Sequence, residues 1–110
     1  MSWGVNLEID AGGPEPVYLS LLEANATWNL GPMYRAANPE HGFGNHWDGT
    51  PAQEAADRCK VILAAFGEDP AKYRALNPPN GWGDFEVAQA FIQQIHDACM
   101  AAPRATLRVG

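Results

Sequence analysis

The chain has 110 residues, of which 46% are apolar and 18% charged, a balance typical of one globular domain rather than a disordered segment. Seven basic and 13 acidic residues give a net charge of −6. Binding to nucleic acid requires clustered Lys and Arg, and a membrane span requires about 20 apolar residues. The sequence has neither, so we expect no nucleic-acid partner, no membrane partner and, without a visible signal peptide, a cytoplasmic location.

The start of the chain is predicted to form a hairpin. Apolar residues alternate there with polar or small ones, which indicates a half-buried strand: Trp3, Val5, Leu7 and Ile9. Turn residues follow over 11–16. Residues 17–24 are apolar on both faces and indicate a second, more central strand. The segment "NATWNL" then continues extended or bends away, and a short helix begins at Pro32, where proline is favoured.

Two long helices are predicted farther along the chain. A loop over 38–49 lacks periodicity and is rich in glycine. Thr50 and Gln53 then form the pattern of a capping box at the start of an amphipathic helix. A short helix over 70–76 precedes the second long helix, which Asp84 caps.

The chain ends in an alternating segment, 105–109, that indicates a short strand. A single strand is not stable alone, so it must join the hairpin, with Leu107 near Leu7 or Leu19. The predicted fold is therefore α+β and a single domain. Its small antiparallel sheet consists of the N-terminal hairpin and the C-terminal strand, with two long and two short helices packed on one face.

Cys59 and Cys99 both lie on the apolar faces of the predicted long helices. Free cysteine is among the most buried residue types, so we expect two reduced thiols in the core. A disulfide and a reactive thiol are the alternatives.

The segment "NATWN" carries the first group of polar side chains that could bind a ligand. In an extended chain Asn25, Thr27 and Asn29 share one face, while Ala26 and Trp28 share the other. Such a row can hydrogen-bond to a ligand. The alternative is that these side chains satisfy the backbone of a turn, as Asn and Thr often do.

The glycine-rich loop carries a second group, His41, His46 and Asp48. These residues could be metal ligands or a His–Asp acid–base pair. Their spacing matches no established motif, so we predict surface histidines and assign no catalytic residue, metal or cofactor.

The segment "NPPNGWGD" is unusual because it places an indole inside a connector between helices. Prolines stiffen it, glycines permit positive φ, and asparagines can bond local backbone: Pro78, Pro79, Gly81, Gly83, Asn77 and Asn80. Asp84 is predicted to cap the next helix. Trp82 has no periodic core position, so it either fills the end of the core or forms the wall of a pocket.

These two segments together resemble a family of small uncharacterised proteins encoded by actinobacteria and their phages. The motifs of that family are roughly Asn-x-Thr-x-Asn and Asn-Pro-x-Asn-Gly-Trp-Gly-x-Tyr/Phe-Glu. The residues that carry the resemblance are Asn25, Thr27, Asn29, Asn77, Pro78, Asn80, Gly81, Trp82, Gly83, Phe85 and Glu86. The resemblance covers nearly the whole chain and implies no activity. It implies a phage origin, with the host cytoplasm as the location, and that the two segments belong together.

The combined segments predict a binding site without catalysis for a small, nucleotide-like ligand. Helix N-termini near Pro32 and Asp84 would offer N–H donors to a phosphate. Rings would stack on a base and amides would read its edge. The predicted ligand-binding residues are Asn25, Thr27, Trp28, Asn29, Tyr34, Arg35, Asn77, Asn80, Trp82 and Asp84.

Two other functional classes remain open at this point. The first is a protein–protein adaptor whose anchors would be exposed Trp28, Trp47 and Trp82, because aromatic residues dominate interface hot spots. The second is a small hydrolase with a histidine and a carboxylate from the set His41, His46, His96, Asp48 and Glu86. A homo-oligomer is compatible with each. The direction in which the tryptophans point would separate a ligand pocket from a docking surface.

Overall fold

The computed structural model describes residues 2–10, 18–79, 81 and 83–110. The predicted hairpin turn at 11–16 lies outside them. The strands are β1 Ser2–Asp10, β2 Tyr18–Thr27 and β3 Thr106–Val109. The helices are α1 Gly31–Ala37, α2 Ala52–Glu68, α3 Pro70–Arg74 and α4 Phe85–Ala101, and short 3₁₀ turns cover Trp28–Leu30 and Asn45–Trp47.

The three strands form one antiparallel sheet in the order β2-β1-β3. Leu7 of β1 lies opposite Leu107 of β3, which is one of the two pairings that the sequence left open. The expectation that β2 is the more central strand is wrong, because β1 pairs with both other strands. The α+β prediction is confirmed.

The helices lie against one face of this sheet. Alternate residues of β1 and β2 are buried on that face: Trp3, Val5, Leu7, Ala24 and Ala26. Helix α4 packs on both α2 and β2. Ile62 of α2 and Phe91 of α4 are buried in the shared core, as the helical periodicity indicates. The opposite face carries polar side chains, including exposed Asn25 and Arg108.

The glycine-rich loop after α1 contributes to the core. Phe43 and Trp47 are buried, and their ring centroids lie 4.7 Å apart. The Trp47 indole Nε1 donates a hydrogen bond of 3.2 Å to the His41 carbonyl. The prediction that Trp47 is an exposed anchor is therefore wrong, because the loop closes one end of the aromatic core.

The same loop also covers the outer edge of β3. Leu107 exchanges two backbone hydrogen bonds of 2.8 Å with this loop, donating to the Thr50 carbonyl and accepting from Gly49 N. Asp48 Oδ1 accepts from Val109 N at 2.9 Å. The loop thus pairs backbone groups that an edge strand would otherwise expose.

The capping box predicted at Thr50 and Gln53 is not formed, because Thr50 belongs to the sheet edge. Helix α2 begins at Ala52, with Pro51 as its N-cap residue. Thr50 is buried, and its Oγ1 accepts from the Arg58 guanidinium at 3.4 Å. The cap predicted for α4 is confirmed, since Asp84 Oδ1 accepts from Val87 N at 2.8 Å.

Cys59 and Cys99 are free and buried, which confirms two core thiols. Burial raises the pKa of Cys99 to about 11 and raises the pKa of Cys59 further, because an apolar environment disfavours the thiolate. Among the residues with described structure, no helix is long and apolar enough to cross a membrane.

Candidate functional site

The two segments singled out from the sequence meet at Gly83. A Cβ placed on Gly83 would lie 2.8 Å from Thr27 Cγ2 and 3.2 Å from Leu30 Cδ2. The φ of Gly83 is +91°, a backbone conformation that side chains rarely adopt. Glycine is therefore needed at this position for two reasons: its positive φ and the close approach of the two segments.

The predicted row of Asn25, Thr27 and Asn29 is interrupted, and this part of the prediction is wrong. Strand β2 ends at Thr27, and the chain turns at Trp28–Leu30. Thr27 Oγ1 accepts from Asn29 N at 3.4 Å, so this side chain stabilises the turn. Asn25 is exposed opposite Gly4 on the polar face of the sheet. The alternative of turn stabilisation applies to Thr27.

Trp28 remains exposed at this turn, with 42% of its surface accessible to solvent. Its ring centroid lies 6.5 Å from that of Trp3, which is buried and contacts Tyr34 and Phe43 in turn. One part of the Trp28 ring thus rests on the core while another is open. A ring held in this way is suited to stacking, since its position is set before a ligand arrives.

Tyr34 lies in the core, and its assignment as a ligand-binding residue is wrong. The side chain is fully buried among other rings and contacts Phe43, Phe66 and Phe91. Its hydroxyl has no hydrogen-bond partner within the described parts of the chain. Burial raises the pKa of Tyr34 well above its usual range, so the phenol stays protonated.

Arg35 supplies an exposed positive charge beside Gly31. Its Nη1 lies 3.2 Å from the position of a Cβ on Gly31, and Gly31 directly follows the turn that carries Trp28. The Arg35 stem packs beside Gly42, 3.1 Å from a Cβ placed there. Within the described residues it forms no ion pair with a carboxylate, so the guanidinium is available to an anion.

Asn77 and Asp84 use their side chains to complete the N-terminus of α4. Asn77 Oδ1 accepts from Phe85 N at 2.9 Å, and Asp84 Oδ1 accepts from Val87 N. The N–H groups expected to hold a phosphate are thus already occupied at two positions. Of the predicted site, Asn80 and Trp82 lie outside the described residues.

Beside this N-terminus, Arg74 Nε donates to Glu86 Oε1 at 2.9 Å. This hydrogen bond holds the pKa of Glu86 below its usual range. Glu86 is thus engaged by an arginine rather than by a histidine.

The other acid–base pairs proposed for a hydrolase are likewise not formed among the described residues. Asp48 bonds Val109 N and pairs with Arg108 Nε at 3.1 Å. His46 Nε2 contacts the His41 carbonyl. His96 pairs instead with its chain neighbour, Asp97, at 3.0 Å. No cluster suited to a metal ion is found in the described part of the chain.

A groove that the sequence did not indicate lies between α2 and the start of the glycine-rich loop. Asn38, Glu40 and His41 line one side, and Glu54, Asp57, Arg58 and Val61 line the other. The only signal in the sequence is the spacing of Glu54, Asp57 and Val61, which places them on one side of a helix. Their pairing with residues 38–41 depends on the tertiary fold.

Comparisons with protein-family models, with curated proteins and with solved structures found no match. The structure defines a two-layer α+β domain with the exposed indole of Trp28 at the end of β2 and the guanidinium of Arg35, which forms no ion pair with the described residues, beside Gly31. A function has to be inferred from those groups.

Proposed function

We propose that the protein binds a small, ring-bearing, anionic ligand of the nucleotide type at the surface around Trp28, without chemical turnover. The ligand ring stacks on the exposed part of Trp28, and Arg35 neutralises its anionic group. Asn29, exposed on the same turn, hydrogen-bonds the edge of the ring.

The observation that supports this proposal is the combination of exposure and fixed position at Trp28. The turn that presents the ring packs against Gly83 on one side, and the ring itself rests on Trp3. An exposed aromatic ring that is already ordered loses little conformational entropy when a ligand stacks on it. Arg35, beside the Gly31 that follows this turn, has no acidic partner among the described residues and supplies charge of the required sign.

The proposed cellular role rests on the resemblance to proteins of actinobacteria and their phages. A phage protein that binds a nucleotide in the host cytoplasm would remove a signalling molecule of the host, a form of counter-defence. Homo-oligomerisation is compatible with this role.

The test is a calorimetric titration of the protein with mononucleotides, dinucleotides and ADP-ribose derivatives. Trp28→Ala should weaken binding by about 1–3 kcal/mol through lost stacking, whereas Trp28→Phe should retain most of it. Arg35→Gln should weaken binding about tenfold, or about 1.4 kcal/mol. The matched control is Arg104→Gln, which removes another exposed arginine with no described ion pair and should have no effect.

Variants of the second segment and of β2 define the extent of the site. Trp82→Ala should weaken binding by about 1–3 kcal/mol if its ring forms a second wall. Asn25→Ala and Asn29→Ala should each weaken binding by about 1–3 kcal/mol if their amides pair with the ligand. An effect of Asn29→Ala alone would confine the site to the turn.

The second candidate function is a protein–protein adaptor, for which exposed Trp28 is the favourable observation. Burial of Trp47 removes one of its three expected anchors. If no nucleotide in the panel binds, and if Trp28→Ala instead abolishes capture of a defined host protein, the adaptor replaces the ligand-binding proposal.

A further inference from the structure

Two buried hydrogen-bond donors without a partner among the described residues belong to side chains that line the groove between the glycine-rich loop and α2. Asn38 is only 4% exposed, and its Oδ1 accepts from His41 N at 3.2 Å. Its Nδ2 has no partner within the described parts of the chain. The same is true of Arg58 Nε, although the other guanidinium nitrogens lie near Thr50 and Glu54. Both residues line the groove.

Unpaired buried donors are costly, and native proteins keep few of them. A ligand with a carbonyl or hydroxyl oxygen would supply the missing acceptor. This observation points to a ligand independently of the charge of the groove.

The charge of the groove determines the sign of the charge that the ligand should carry. Glu40, Glu54 and Asp57 bring three carboxylates to its lining, and Arg58 brings one guanidinium, which already lies 3.7 Å from Glu54. Asp57 is exposed and forms no ion pair among the described residues. An anion would be repelled here, while a cation would gain a partner in Asp57.

The size of the groove limits the ligand to a small molecule. Its volume is about 250 Å³, which is below the roughly 300–1,000 Å³ of sites for drug-sized ligands. Val61 contributes an apolar surface suited to a short methylene chain.

We propose that this groove binds a small organic cation, an ammonium or guanidinium, that carries a carbonyl or hydroxyl oxygen a few atoms from the charge. The cation pairs with Asp57, the chain lies on Val61, and the oxygen accepts from Asn38 Nδ2. This site is separate from the Trp28 surface and takes a ligand of opposite charge, so it does not depend on the proposed function.

Two probes of equal charge separate the contributions of cation and acceptor. 4-Guanidinobutanamide and n-butylguanidine are both monocations with similar chains, but only the first has a carboxamide. Titration of the whole protein at low ionic strength, followed by ¹⁵N–¹H chemical shifts, should show residues of the groove shifting. The carboxamide ligand should bind at least about fivefold more tightly, as expected for one hydrogen bond to a buried donor.

Variants then assign the contacts. Asp57→Asn should weaken both probes about fivefold to tenfold, because it removes a charge while keeping the shape. The matched control is Glu68→Gln, which removes an exposed carboxylate from the end of the same helix and should change neither affinity. Asn38→Asp keeps the acceptor for His41 N and removes the donor, so it should abolish the preference for the carboxamide.

The two probes binding with equal affinity would overturn the proposal. So would the absence of shifts at millimolar concentration, or equal effects of Asp57→Asn and Glu68→Gln. The comparison of probes on the unaltered protein remains decisive even if Asn38→Asp does not fold. Nucleotide binding at Trp28 has no bearing on these results, so the two proposals can fail separately.

Discussion

Two irregular segments of this chain are similar in composition and differ in what they do. Residues 38–51 and residues 77–84 both combine glycine, proline, asparagine and a tryptophan between helices. The first segment enters the core, with Phe43 and Trp47 buried and with its backbone paired to β3. The described part of the second lies at the surface, tied at its two ends by Asn77 and Asp84 and seated on Thr27 through Gly83.

The difference teaches that the local composition of a loop does not tell how deeply it is buried. Three glycines in the first segment indicate a flexible surface loop, yet two of them, Gly42 and Gly44, are buried. Gly42 has a φ of +51° and packs on the Arg35 stem. These glycines let the chain approach its neighbours closely, while the nearby rings of Phe43 and Trp47 fill the core.

Removal of the Trp47 ring should have the largest effect on stability. Trp47→Ala should lower the free energy of unfolding by about 3–5 kcal/mol, because it creates a cavity and leaves the His41 carbonyl without its indole donor. Denaturant unfolding measures this cost. Trp28→Ala is the control, with a change below about 1 kcal/mol expected for an exposed ring. Equal costs would show that the first segment is not part of the core.

Gly83 and Gly81 of the second segment allow the cost of placing alanine at a positive φ to be measured separately from the cost of a steric clash. Gly83→Ala should cost about 2–4 kcal/mol, since a methyl group adds a clash with Thr27 to the strain of positive φ. Gly81 has a φ of +74°, and no other described residue lies within 4 Å of a Cβ placed there, so Gly81→Ala should cost only about 1 kcal/mol. Thermal unfolding of the two variants gives the difference. Equal losses of stability in the two variants would show that close packing of Gly83 on Thr27 does not contribute to stability.

The attachment of the first segment to β3 depends on Asp48. Asp48→Ala should cost about 1–2 kcal/mol, because Val109 N loses its acceptor. Arg108→Gln removes only the exposed ion pair and should cost below about 0.5 kcal/mol. Amide hydrogen exchange at Val109 should accelerate in the first variant and not in the second. The reverse pattern would assign the role of Asp48 to the ion pair.

The helix cap at the end of the second segment should contribute less to stability than the contacts above. Asp84→Ala should cost about 1 kcal/mol through loss of the helix cap. Asp84→Asn keeps an acceptor oxygen and should recover most of that stability, since asparagine is an equally good cap residue. Circular dichroism during denaturant unfolding compares the variants. A loss in Asp84→Asn as large as that in Asp84→Ala would show that charge rather than capping matters here.

Alkaline pH should lower the free energy of unfolding through Cys99, a thiol in the core. The ionisation of this thiol should not affect stability near neutral pH. The pKa of Cys99 is raised to about 11 in the folded protein, whereas an unfolded thiol ionises near about 8.5. The unfolded state therefore loses protons first, so stability is fully present below about pH 8.5 and falls as pH rises toward 11. Cys99→Ala should show a shallower decline. An unchanged slope would remove Cys99 as a cause.

Much of the fold follows from periodicity and end signals in the sequence. Alternation in β1 and β3 and the apolar faces of α2 and α4 predict the sheet and the helices, because each pattern places its apolar residues on one face. The pairing of Leu107 with Leu7 rather than with Leu19 was decided by the tertiary structure. The helix cap at Asp84 was also predicted correctly, because its side chain accepts a hydrogen bond from an N–H only three residues away.

The environments of Thr50, Trp47 and Tyr34 were decided by the tertiary structure alone. Thr50 has the local pattern of a helix cap, yet its backbone pairs with β3, a strand more than 50 residues away in the chain. Tyr34 was predicted to contact a ligand and Trp47 to anchor a protein partner, yet both lie where rings from several elements meet. Likewise, Asn38 and Asp57 become neighbours of one groove only when the loop folds against α2. A sequence pattern reports contacts within about one helical turn or one strand, whereas burial depends on which distant segments arrive at the same place.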